Sequence, residues 1–99
     1  MTMLETVKKS LRISPSNTTF DIEVEDIIAA ARDDLKLCGV IAAKVDIDTD
    51  PLIKRAIIVY AKANFGFDNP EAVRFAASYE SLKAHLSLSQ EYTVGSDTP

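Results

Sequence analysis

The sequence predicts an all-α fold: a small bundle of four helices around one central apolar helix. Three observations predict it. Residues 50–65, DPLIKRAIIVYAKANF, are apolar on nearly every side, as the buried centre of a bundle is. Three other stretches space their apolar residues at i, i+3 or i+4, the helical period, and clusters of turn formers separate them. Only one short stretch alternates as a strand would, and no second one exists to pair with it.

In chain order, Thr2 and Glu5 form a T-x-x-E capping box, and Leu4, Val7 and Leu11 keep helical spacing over residues 3–12. Lys8, Lys9 and Arg12 put positive charge in the last turn, where the helix dipole favours it. Residues 13–20, ISPSNTTF, form a loop. Asp21 reads as the N-cap of a second helix, with Glu23, Glu25 and Asp26 in its first turns. Val24, Ile27, Ile28, Ala31, Leu35 and Cys38 run down one face, and Gly39 ends the helix. On the other side Asp26, Ala30, Asp33, Asp34 and Leu37 form an acidic strip, either a solvated face or a contact surface.

Residues 40–49, VIAAKVDIDT, contain the alternating stretch Val45-Asp46-Ile47-Asp48. A lone strand needs a partner outside its own fold, so this segment reads as an extended arm that adds to a neighbouring subunit. The alternative is an ordinary loop with Val45 and Ile47 tucked onto the bundle. In the central helix Asp50 caps and Pro51 takes the first position. Lys54, Arg55 and Lys62 share one sector, with Ile58 in the middle of it. Ile58 either lies under the Lys and Arg stems or touches another chain. Gly66, Phe67 and Asp68 make a turn, Asn69 caps and Pro70 starts a last helix, which ends near Leu88 or Gln90. Ala72, Phe75, Tyr79, Leu82 and Leu86 form its core face. Residues 91–99 have no apolar period and read as a flexible tail, at least from Gly95 onward. The four helices come to about 10, 17, 15 and 20 residues.

With 99 residues the chain makes one domain, whose core is small enough that self-association would help it. The net charge of −4 argues against a general nucleic-acid binder, which needs a basic surface to displace counterions from phosphate. The one cysteine, Cys38, allows no intrachain disulfide and fits a reducing compartment. No apolar run approaches the roughly 18 residues of a membrane span, and the first ten residues lack the layout of a signal peptide.

Chemistry-bearing patterns are weak. Asp46, Asp48 and Asp50 open like a calcium loop, but Pro51 and Ile57 stand where the loop needs glycine and an acid. His85 is the single histidine, too few ligands for zinc, and reads as a partly exposed structural residue. Cys38 lies at a helix C-terminus, the end where the dipole disfavours a thiolate. No glycine-rich phosphate loop and no acid/base carboxylate pair is present, so the expectation is no enzyme, no cofactor and no metal.

The opening Leu4-Glu5-Thr6-Val7-Lys8-Lys9-Ser10-Leu11-Arg12-Ile13 resembles the start of the head–tail connector proteins of tailed bacteriophages. An acid followed by an Ile-x-Ala-Ala helix continues the likeness, here from Asp21 through Ile27, Ile28, Ala29 and Ala30. Asp50-Pro51-Leu52-Ile53-Lys54-Arg55-Ala56-Ile57 is similar to the family's third helix. Tyr79-Glu80-Ser81-Leu82-Lys83, with Leu86, Ser89 and Tyr92, resembles the ending found in connectors of Gram-positive phages. Residues 64–69 depart from the charged segment many relatives carry there.

The resemblance implies a structural virion protein at the head–tail junction, made in the bacterial host. It would form a ring with itself, typically of twelve, beneath the portal protein. That ring would extend the DNA channel and dock the next head-completion or tail protein, with DNA passing through unbound and no membrane involved. In such a ring Lys54, Ile58 and Lys62 of one subunit could face Asp26, Asp33 and Asp34 of the next, and the arm with Val45 and Ile47 could reach a neighbour. The alternative reading is a small helical DNA-binding phage regulator or terminase-like subunit. Against it stands the lack of a helix combining exposed Lys or Arg with Asn or Gln for base edges.

Overall fold

The computed structural model describes residues 2–66 and 69–93. Six helices follow one another: α1 (Met3–Ser10), α2 (Asp21–Leu37), α3 (Ala42–Val45), α4 (Pro51–Asn64), α5 (Ala72–Leu88) and α6 (Gln90–Thr93). Among the described residues there is no strand. The four long helices are those the periodicity predicts, and α3 and α6 are single turns added between and after them.

α4 is the centre. Ile53, Ala56, Ile57, Val59 and Ala61 are buried along it, and α5, α2 and α1 pack around it. Asp50 caps it as expected, its Oδ1 accepting from the Leu52 and Ile53 N–H groups at 3.0 and 3.1 Å. α2 buries Val24, Ile28, Ala31 and Leu35, with Ile27 and Cys38 half-buried beside them. Its end is a Schellman turn: Gly39, at φ +105°, donates to the Lys36 carbonyl and Val40 to that of Leu35.

α1 ends the same way, with Arg12 donating to Lys9 and Ile13 to Lys8. Here the left-handed position, φ 64°, is held by Arg12 and not by glycine. Lys8 does more than answer the dipole. It is buried, and its Nζ reaches the Asn17 carbonyl at 2.7 Å, the Pro15 carbonyl at 3.4 Å and Asp21 Oδ1 at 2.7 Å. The ammonium thereby folds the 13–20 loop against the start of α2. Asp21 is thus an ion-pair partner in the first turn, and Phe20 holds the N-cap position without a side-chain cap.

Asn69 also works differently from the expectation. Its Nδ2 donates to the Lys62 carbonyl at 2.6 Å, closing the end of α4, while its Oδ1 accepts from the Glu71 N–H at 3.0 Å. α5 therefore starts two residues after Pro70. The turn expected at Phe67 and Asp68 lies outside the described residues.

Residues 40–49 do not run out as the predicted extended arm: Ala42–Val45 form α3, and of the tucked-loop reading Val45 holds and Ile47 does not. Val45 is fully buried, and the Arg32 guanidinium closes the turn by donating from Nε to the Val45 carbonyl (3.1 Å) and from Nη2 to Asp48 (2.6 Å). Ile47 stays exposed. The predicted flexible tail is corrected at its first residues: Gln90–Thr93 form α6, and Tyr92 is buried. The remainder of that tail, residues 94–99, lies outside the described residues.

A left-handed conformation costs a residue with a Cβ about 1 kcal/mol, which glycine avoids. Arg12→Gly is expected to raise stability by about 0.5–1 kcal/mol, read as a higher midpoint in thermal circular dichroism.

Candidate subunit interface

The residues singled out from the sequence fall into three groups. Asp26 and Asp33 stand exposed on α2. Asp34 does not join them: its Oδ2 accepts from the Tyr79 hydroxyl at 2.6 Å and from Lys83 Nζ at 3.0 Å. This ties α2 to α5 across the bundle. The Tyr79 bond, helped by Lys83, holds the Asp34 carboxyl below its ordinary range, and burial pushes the Tyr79 hydroxyl up. Ile58 is half-buried and packs on the core under its cationic sector, Lys54 is half-buried, and the Lys62 ammonium stands 5.5 Å from the centre of the Phe75 ring. Val45 is interior, so of the 40–49 segment Ile47 is the apolar side chain left to a partner.

The three aspartates of the calcium-like stretch are spoken for separately. Asp46 pairs with Lys36 (2.9 Å) and Asp48 with Arg32 (2.6 Å). Asp50, 8% exposed, takes the Tyr92 hydroxyl at 3.0 and 3.1 Å from its two oxygens besides capping α4. Lys44 completes this clamp, lying 4.0 Å from Asp50, 3.6 Å from Glu91 and 5.2 Å over the Tyr92 ring. The Ile41 N–H donates to the Tyr92 carbonyl at 2.8 Å. Cys38 Sγ is turned to the Leu35 carbonyl, 3.1 Å away, and His85 is exposed.

What remains for contact is unevenly charged. α2 carries six acids against two bases, a formal −4, while α4 and α5 together carry five bases against one acid, a formal +4. Among the described residues Asp26, Asp33, Lys54 and Arg55 enter no ion pair. A shallow groove between α4 and α5 is lined by Arg55, Val59, Arg74, Phe75, Ser78 and Leu82. Arg74 lies 4.9 Å over the Phe75 ring and pairs with Glu71. On another side, α2 and α4 flank a hollow with Ile22, Asp26, Ala30 and Tyr60. Arg55 and Tyr60 point about 140° apart on α4, so the two surfaces face different directions. Large aliphatics are left in water at both ends of the outer helices: Ile22 (78% exposed) and Leu37 (87%) on α2, Val73 (82%) and Leu88 (85%) on α5.

The groove, the Asp34–Tyr79 bond and the Tyr92 clamp were not foreseen. Their partners lie more than forty residues apart or on two helices at once, which a helical period does not record. Arg74 carried the one available signal, a cation beside the predicted core residue Phe75.

A family model described as phage connector protein matches residues 3–93. No curated protein matches the chain significantly, and neither does any solved structure.

Burial and then the bond to Asp50 push Tyr92 up to about 12. A raised folded-state value gives stability that is full below the unfolded value near 10 and lost as pH rises through about 12. Tyr92→Phe should cost about 2 kcal/mol at pH 7 in urea unfolding and should flatten the decline of stability between pH 10 and 12. In Tyr79→Phe the Asp34 carboxyl should titrate higher by carbon NMR. Because its folded-state value is depressed, the stability it supplies above the ordinary carboxylate range should then be lost at a higher pH as acid is added.

Proposed function

The chain belongs to the phage connector protein family, and on that premise we propose that it forms a ring beneath the portal and continues the DNA channel. That ring would present a docking surface to the next head-completion or tail protein at the head–tail junction of the virion. The observation that carries this reading is the family match over nearly the whole described chain, residues 3–93. The role asks for surfaces and charge and involves no chemical step.

Two physical features support it. At −4 per chain, twelve copies would carry a formal charge of about −48, which repels phosphate and lets DNA slide without sticking. The acidic and basic surfaces also lie on different sides of one subunit, as a head-to-tail contact requires, and such contacts close into a ring when the rotation permits. Asp26, Asp33, Lys54, Ile58, Lys62 and Ile47 are the sequence-derived candidates that stay accessible at least in part. In this reading they lie at or beside subunit and partner contacts.

Native mass spectrometry of the chain, alone and with purified portal protein, tests the proposal. A closed ring near twelve subunits in either sample is expected. A chain that stays monomeric with portal present would overturn it, and a dimer retained on duplex DNA would favour the regulator reading instead.

A further inference from the structure

Building on the ring reading, we propose which surfaces make its contact: the exposed face of α2 in one copy seats in the α4–α5 groove of the next copy.

Charge selects the partner. α2 at −4 repels another α2, and its unpaired Asp26 and Asp33 seek cations that its own subunit does not supply. The groove supplies them through Arg55, which among the described residues enters no ion pair, and through Arg74, whose ion-pair partner, Glu71, stands exposed beside it. Spacing agrees with charge. Asp26 and Asp33 are seven residues apart on α2, about 10 Å along the axis. Arg74 and Phe75 line one end of the groove, and Lys62, outside the lining, stands 5.5 Å from the same ring, so that end is cationic. Arg55 lies seven residues before Lys62 on the same helix, again about 10 Å away, and marks the other. Two acids two turns apart therefore meet two cationic sites two turns apart.

Shape agrees as well. The middle of the α2 face is made of Ala29 and Ala30, and Ala77, Ser78 and Ser81 line the groove, so nothing bulky holds the helices apart. The contact would cover Ile22 and Leu37, which the isolated subunit leaves in water. Because donor face and receiving groove are different surfaces, the contact is heterologous and repeats from copy to copy. The charges set the register of the helix along the groove.

The test uses two full-length variants, Asp26→Lys with Asp33→Lys, and Arg55→Glu with Arg74→Glu, followed by native mass spectrometry with portal protein where the wild type needs it. Each variant alone should lose at least tenfold of the ring signal. Mixed, they should regain assemblies holding equal numbers of both, because the reversed face of one fits the reversed groove of the other. Variants that assemble alone like wild type, or a mixture that stays unassembled while both keep wild-type helical circular dichroism, would overturn the proposal.

A second measurement does not depend on the reversals folding. In a Cys38→Ser background, Ala29→Cys with Ser78→Cys should give a ladder of disulfide-linked copies on oxidation. Unlinked chains from intact rings would overturn the pairing and leave the ring reading standing. A wild type that forms no ring with portal would remove the ring reading itself, and this contact with it.

Discussion

The Asp50 carboxylate caps the start of α4 and receives the Tyr92 hydroxyl, so one buried side chain holds both the beginning of the central helix and the last described turn of the chain. A buried carboxylate is tolerated only when its oxygens are satisfied, and here two backbone N–H groups and a phenol satisfy them. The bond fixes where α4 begins. It brings α6 against residues 41–44 through Lys44 and the Ile41 N–H. It also leaves residues 40–49 little room to extend, because both neighbours of that segment are anchored. α4 itself has almost no face to give to water, and α1, α2 and α5 are placed by the need to cover it.

Internal pairing decides which charges a partner can meet. Asp34, Asp46 and Asp48 are consumed by Tyr79, Lys83, Lys36 and Arg32 within the subunit. Asp26 and Asp33 are left on one side, with Lys54 and Arg55 on another. In the proposed contact, this sorting of paired and unpaired charge sets which residues a second copy meets. α5 adds to it by burying only Tyr79 and Leu86 fully and offering the rest of its length outward.

Much of this was legible in the residues. The Thr2–Glu5 capping box, the Asp50 cap with Pro51 behind it and the Gly39 terminus all appear where the sequence places them. Other polar residues were assigned a local role and took a different one. Asn69 closes α4 more than it opens α5, because a short polar side chain can serve a backbone on either side of it, and Asp21 answers the Lys8 ammonium in place of capping α2. Val45-Asp46-Ile47-Asp48 alternates for four residues, too short a run to separate a strand from a turn. Only Val45 belongs to a helix, as the buried last residue of α3, and residues 46–48 follow it as an irregular turn held by Arg32 at the Val45 carbonyl and at Asp48.

The candidate interface was legible in its parts and not in its arrangement. The acidic strip and the cationic sector around Ile58 were both visible as helical faces. That Ile58 rests on the core, that Asp34 is withdrawn, and that Arg55 and Arg74 rim one groove depend on how three helices meet. By itself the sequence determined the helices, most of their ends and the apolar faces, because caps and periods act over three or four residues. Only the tertiary structure decided which charges remain free and which side they face, because bonds such as Tyr79–Asp34 and Tyr92–Asp50 join residues 45 and 42 positions apart. No local pattern spans that distance.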